Sequence, residues 1–186
     1  MILQAKYYLD DTFLMTNRGI VFAGHITDGE LSFNDYIEFQ AFGIKLMRKI
    51  IGIEGVTFSQ PEKVNTGLLI KCRDDNEEKE IRKWKPNSMD TNIYRFDKPI
   101  RLWADFNAST NIGLRLNCNG SVDDLKMQGI DLVDGMPLLL WDEDVDDNNV
   151  RDDLVVMATA RYNKETMIWE GEFNWGDIKN ESEINE

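Results

Sequence analysis

Seven carboxylates and one arginine fall within twelve residues of this chain, in the run Asp142-Glu143-Asp144-Val145-Asp146-Asp147-Asn148-Asn149-Val150-Arg151-Asp152-Asp153. Three readings fit such a run. Calcium is one, because hard cations take oxygen ligands from alternate loop positions. Asp142, Asp144 and Asp146 have the 1-3-5 spacing, and Asp153 falls at position twelve. The match fails at position six, where Asp147 replaces the glycine of a sharp turn, and at position eight, where Asn149 replaces an apolar residue. An ordinary solvated acidic loop is the second reading. The third is a docking surface for a basic partner, carried by Asp142, Glu143, Asp144, Asp146, Asp147, Asp152 and Asp153, with Trp141 just ahead of them as a candidate aromatic anchor. Asp123-Asp124 and Asp131 with Asp134 add charge of the same sign.

Other chemistry has less to work with. His25 is the single histidine, so any Ser-His-Asp or Cys-His arrangement must use it. It sits inside an apolar strand pattern and reads as an ordinary strand residue. Cys72 and Cys118 are far apart and lack CxxC spacing, so two reduced thiols are expected and a structural zinc site is not. A glycosidase needs a carboxylate pair with separated pKa values, and nothing in the clustered acids provides one. Of the five tryptophans, Trp84, Trp103, Trp141, Trp169 and Trp175, those at 103, 141 and 169 end or punctuate apolar strands, so packing is expected ahead of a sugar- or peptide-binding platform. No catalytic residue and no cofactor is assigned; the chain reads as a non-enzyme.

Net charge is −13, and it is uneven. Residues 1–92 carry 14 acids and 12 bases, while residues 93–186 carry 20 acids and 9 bases, a net of −11. Such a field repels phosphates, which argues against nucleic acid or an anionic membrane as partner. No stretch approaches the ~20 apolar residues of a spanning helix. The N-terminal Met1-Ile2-Leu3-Gln4-Ala5-Lys6 lacks the basic and apolar regions of a signal peptide. A cytoplasmic location is expected.

The elements that must position these residues read as short strands. Residues 12–15, 20–26, 36–40, 45–53 and 67–72 form a first set, with turn signals at Asn17-Arg18-Gly19 and Asp28-Gly29. Residues 74–84 predict a helix with acids first and bases last, ended by Pro86, and this segment marks the boundary between two halves. Strand patterns resume at residues 99–105, 112–116, 136–141, 154–162 and 167–173, with Asn163-Lys164-Glu165 as a hairpin turn. Ser121 reads as the cap of a short helical turn, with Asp124 at the capping-box position.

The series Phe13-Leu14-Met15, Arg18-Gly19, Ile20-Val21, Gly24, Ile26, Gly29, Leu31, Asp35, Ile37, Phe39 resembles the second, β-barrel domain of translational GTPases such as elongation factor Tu. Residues 49–54 and 67–71 resemble that domain's later strands, and the likeness spans about residues 8–72. Asn34 stands where that family has glycine; asparagine is the next residue best suited to positive φ. The resemblance implies a barrel and, in that family, contact with aminoacyl-tRNA or the ribosome. No GxxxxGK[ST] loop is present, so nucleotide hydrolysis is not implied.

The fold expected is all-β: a translation-factor-domain-2-like barrel at 1–80, an acidic β-barrel or β-sandwich module at 93–180, and a frayed tail at 181–186. The function expected is an acidic binding protein of the immunity or antitoxin type, docking on a basic protein such as a toxin. The alternative is a translation-associated protein that binds RNA or ribosome through its barrel.

Overall fold

Apolar and polar residues alternate along Ala5-Lys6-Tyr7-Tyr8-Leu9, and a strand turns alternate side chains to opposite faces. Ala5, Tyr7 and Leu9 are buried accordingly. The same logic runs through the first of two units, Met1–Asp97 and Lys98–Glu186, into which the computed structural model divides. It describes residues 1–56, 65–146 and 148–184.

In the first unit, β1 (Ile2–Met15), β2 (Gly19–Gly29), β3 (Tyr36–Ala41), β4 (Ile44–Val56), β5 (Asn65–Ile70) and β6 (Met89–Arg95) form a closed barrel. The strand order is β1-β2-β5-β4-β3-β6, and every ladder is antiparallel. Closure removes the sheet edges that would otherwise template pairing between chains. β6 pairs with both β1 and β3 and so seals the cylinder, although it lies beyond residue 80. Its pattern, Met89-Asp90-Thr91-Asn92-Ile93, buries only Thr91 and Ile93, which leaves little apolar signal in the sequence.

The β1–β2 ladder slips between Leu9 and Asp11, opposite Gly24. A Cβ at Gly24 would lie 1.9 Å from the Tyr8 carbonyl oxygen, so the strands approach this closely only because glycine has no side chain. Asp28-Gly29 ends β2 rather than forming a two-residue hairpin, since Gly29 still pairs with Ala5. Residues 30–35 make the connection, with Asn34 at φ 73°.

Helix α1 (Asp75–Lys83) starts where expected: the Asp74 carboxylate accepts from the N–H groups of Asn76 and Glu77, at 2.9 Å each. It is part of the barrel unit rather than a linker. Ile81 is fully buried in the barrel core, and Trp84 beyond the helix packs against Phe22, Phe39 and Phe42. Glu77 accepts a forked pair of bonds from the buried Arg48.

The second unit is a single open sheet, not the expected barrel or sandwich. It comprises β7 (Ile100–Trp103), β8 (Gly113–Arg115), β9 (Pro137–Asp142), β10 (Leu154–Asn163) and β11 (Ile168–Glu172), in the order β7-β9-β10-β11-β8, with the short β12 (Lys179–Asn180) also on β10. β7 and β9 run parallel, which a tight hairpin cannot achieve; the connection between them holds β8 and helix α2 (Asn119–Gln128). Leu102, Leu138, Leu140, Val156 and Ala160 are buried along this sheet.

Both outer strands are covered. Along β7, the Trp103 N–H donates to the Asp124 carboxylate at 2.8 Å, and the Gln128 side-chain amide donates to the Arg101 carbonyl at 2.8 Å. Along β8, Arg115 N–H donates to the Ala108 carbonyl and Thr110 N–H to the Gly113 carbonyl. Asp124 thus blocks a strand edge instead of completing a capping box. Ser121 is not the cap either: α2 begins after Cys118, and the Ser121 hydroxyl is buried without a hydrogen-bond partner among the described residues. Among the described residues no helix is long and apolar enough to cross a membrane.

Candidate functional site

The acidic run is the connection between β9 and β10, whose ladder holds Trp141 opposite Val155 and Asp142 opposite Leu154. Beyond that ladder the chain continues as a narrow excursion. Asp152 N–H donates to the Asp144 carbonyl, Val145 bridges to Arg151, and Asp146 N–H donates to the Val150 carbonyl. The excursion turns where the Asp146 carboxylate accepts from the N–H groups of Asn148 and Val150, both at 2.8 Å. Those bonds, Val150's first, hold the Asp146 carboxyl below its ordinary pKa. Asn149 takes a positive φ of 58° to close the turn.

The base of the hairpin is an ion network. Asp153 is buried and accepts from Arg151 at 2.8 and 3.1 Å and from Arg101 at 3.2 Å. The Arg151 hydrogen bond, with the charges of Arg151 and Arg101 behind it, holds the Asp153 carboxyl below the usual carboxylate range. Both guanidinium groups also lie over the Trp141 ring, Arg101 at 4.9 Å and Arg151 at 5.7 Å from its centroid. Trp141 is therefore occupied within its own unit and is not a free anchor.

Residues 181–184, read from the sequence as part of a frayed tail, form a 3-10 turn tied to this network. Glu181 pairs with Arg101, and Ser182 donates from its N–H (3.0 Å) and its hydroxyl (2.7 Å) to the Asp152 carboxylate. Asp142 accepts from the N–H groups of Phe106 and Glu143.

The seven carboxylates thus separate by role. Asp142, Asp146, Asp152 and Asp153 are engaged by donors of their own unit, whereas Asp147 lies outside the described residues. Glu143 is loosely held: its side chain is 72% exposed and 3.8 Å from Arg151. With Asp144, Val145 and Arg151 it lines a shallow cleft of about 300 Å³. Val145 and Val150 are 52% and 60% exposed. These two valines, with Arg101 and Glu181, are the residues the sequence reading missed. Apolar residues inside an otherwise acidic run were a signal for the valines; no local signal pointed to Arg101 or Glu181.

The calcium alternative needs Asp142, Asp144, Asp146 and Asp153 to converge on one point. Among the described residues no three His, Cys, Asp or Glu side chains are grouped to hold a metal ion. Three of those four aspartates already accept protein hydrogen bonds. His25 lies on β2, its Nδ1 3.8 Å from an Asp10 oxygen and its ring 5.3 Å from that of Tyr8.

Compared with known proteins, the chain matches no family model and no curated sequence.

Proposed function

We propose that the chain is a non-enzymatic binding protein that docks on a basic protein through the β9–β10 hairpin. The observation that carries this reading is the pair of exposed valines, Val145 and Val150, flanked by Glu143 and Asp144 on a unit of strong negative charge. Residues 98–186 hold 19 acids and 8 bases, a net of −11. Apolar contact at the centre with charge around it gives affinity from burial and fast, salt-sensitive association from the field. An inhibitor of the immunity or antitoxin type fits best, because proteins that attack nucleic acid carry basic clefts.

The test is capture of partners by the tagged chain at low and at ~0.5 M salt, where the shorter Debye length screens surface attraction. The same capture is repeated with Glu143→Gln, Asp144→Asn and Val145→Ser combined. One basic protein, lost at high salt and lost with the triple variant, is the expected result. Retention by the triple variant would sink the hairpin as the docking element.

A second reading rests on the other unit. A near-neutral six-stranded barrel, with glycines and Asn34 at its bends, supports kinship with the second domain of translational GTPases and hence a translation-associated role. Recovery of tRNA or ribosomal components, unaffected by the hairpin substitutions, is what this reading expects.

A further inference from the structure

A cleft of about 340 Å³ opens in the second unit between α2, the segment after it, and β11. It is separate from the hairpin. Its floor is apolar: Leu116, Leu125, Ile130 and the indole of Trp169 line it. Its solvent-exposed rim is polar, formed by the exposed lining residues Asn117, Lys126 and Asp131. This combination, an apolar floor with a few polar groups at one end, is the usual build of a small-molecule site, and the volume suits a ligand of one ring and a short chain.

The charges at the rim select among such ligands. Lys126 already has a partner, the Asp123 carboxylate 3.5 Å away. Asp131 and Asn117 have no side-chain hydrogen bond or ion pair among the described residues. The rim therefore offers one uncommitted carboxylate and one uncommitted amide above a tryptophan. The unit around it carries a net charge of −11, which concentrates cations and repels anions. Trp169 is steadied by Tyr162, whose ring centroid lies 5.1 Å away, so an aromatic face is held in place.

We infer that this cleft binds a small apolar organic cation: an amine or guanidine whose hydrocarbon body rests on Leu125, Ile130 and Trp169 and whose charge is met by Asp131. The cationic head gains from the carboxylate and from the π-face of the indole, while the body is removed from water. The inference stands independently of the hairpin and of its proposed partner.

The experiment is a titration of the whole chain with 2-phenylethylamine, 2-phenylethanol and 3-phenylpropanoate, followed by amide and indole NMR shifts. Saturable binding of the amine is expected, with a dissociation constant near ~1 mM, and shifts confined to residues 116–132 and the Trp169 indole. The alcohol should bind more weakly by up to about fivefold, the most that an exposed charge pair supplies, and the carboxylate more weakly still. Asp131→Asn, an exposed substitution that leaves the fold intact, should weaken the amine by the same factor. Trp169→Leu should weaken it further, and the dispersed, unshifted amides of β7 and β9 report that the second unit of this variant remains folded. Equal binding of amine and alcohol, an unchanged constant in Asp131→Asn, or shifts outside the cleft would each overturn the inference.

Discussion

At Gly24 the chain tolerates one residue type for a reason visible in a single distance. A methyl group there would sit 1.9 Å from the Tyr8 carbonyl oxygen and 3.1 Å from the Tyr7 ring, and backbone cannot step aside as a flexible side chain can. Gly24→Ala should therefore destabilise the barrel by about 3 kcal/mol, the upper end of overpacking penalties, read as a lowered urea midpoint. Asp153 makes a different demand. Its folded pKa is depressed by Arg151 and Arg101, so its ionised form contributes stability above the unfolded value of about 4. That contribution disappears as pH falls through the lower folded value. Asp153→Asn should cost about 1–2 kcal/mol at pH 7, discounted because both arginines are partly exposed, and markedly less near pH 3. Urea unfolding at the two pH values checks this, and a penalty that does not shrink at low pH would argue against the ion network. Gly24 was legible in the sequence as a glycine inside an apolar strand. The role of Asp153 was not, because beside the neighbouring Arg151 it depends on burial and on Arg101, 52 positions away.

Among the elements, helix α1 was the most legible, since its cap, its charge order and its stop all lie within one short segment. The sequence did not show that it would join the barrel core through Ile81, which only the closed cylinder makes necessary. Cys72, between β5 and α1, shares that setting. Burial, with Glu77 and Glu78 nearby, pushes its thiol up to about 12, so almost none of it is thiolate at neutral or mildly basic pH. Iodoacetamide at pH 8 should thus leave Cys72 at least about tenfold less modified in the native chain than in urea, as counted by peptide mass spectrometry. Equal labelling in both states would mean that the segment opens on its own. For α2 the reading failed in an instructive way. Ser121 and Asp124 fit a capping box by spacing, but the helix begins earlier, and Asp124 is needed at the exposed N–H of Trp103 on β7. A tertiary requirement displaced a local one.

Across the whole molecule, the two units differ in how their contacts relate to chain order. The barrel is antiparallel throughout, with glycine- or asparagine-bearing turns, and the sequence pattern reveals β2 to β5 and the end of β1 but not β6. The second unit depends on the parallel β7–β9 pair, which chain order does not suggest, so its strands were legible and their arrangement was not. The barrel's buried cluster, from Ala5 to Ile93, lies wholly within Met1–Asp97, and β6 closes the ring without any strand from the second unit. A chain ending at Asp97 should therefore fold alone, showing a β-type circular dichroism spectrum and one cooperative urea transition. A chain ending at Lys85 retains α1 and the five earlier strands but lacks β6. It leaves β1 and β3 with unpaired edges, and it should aggregate or unfold without cooperativity. If both truncations behaved alike, β6 would not be the strand that completes the barrel.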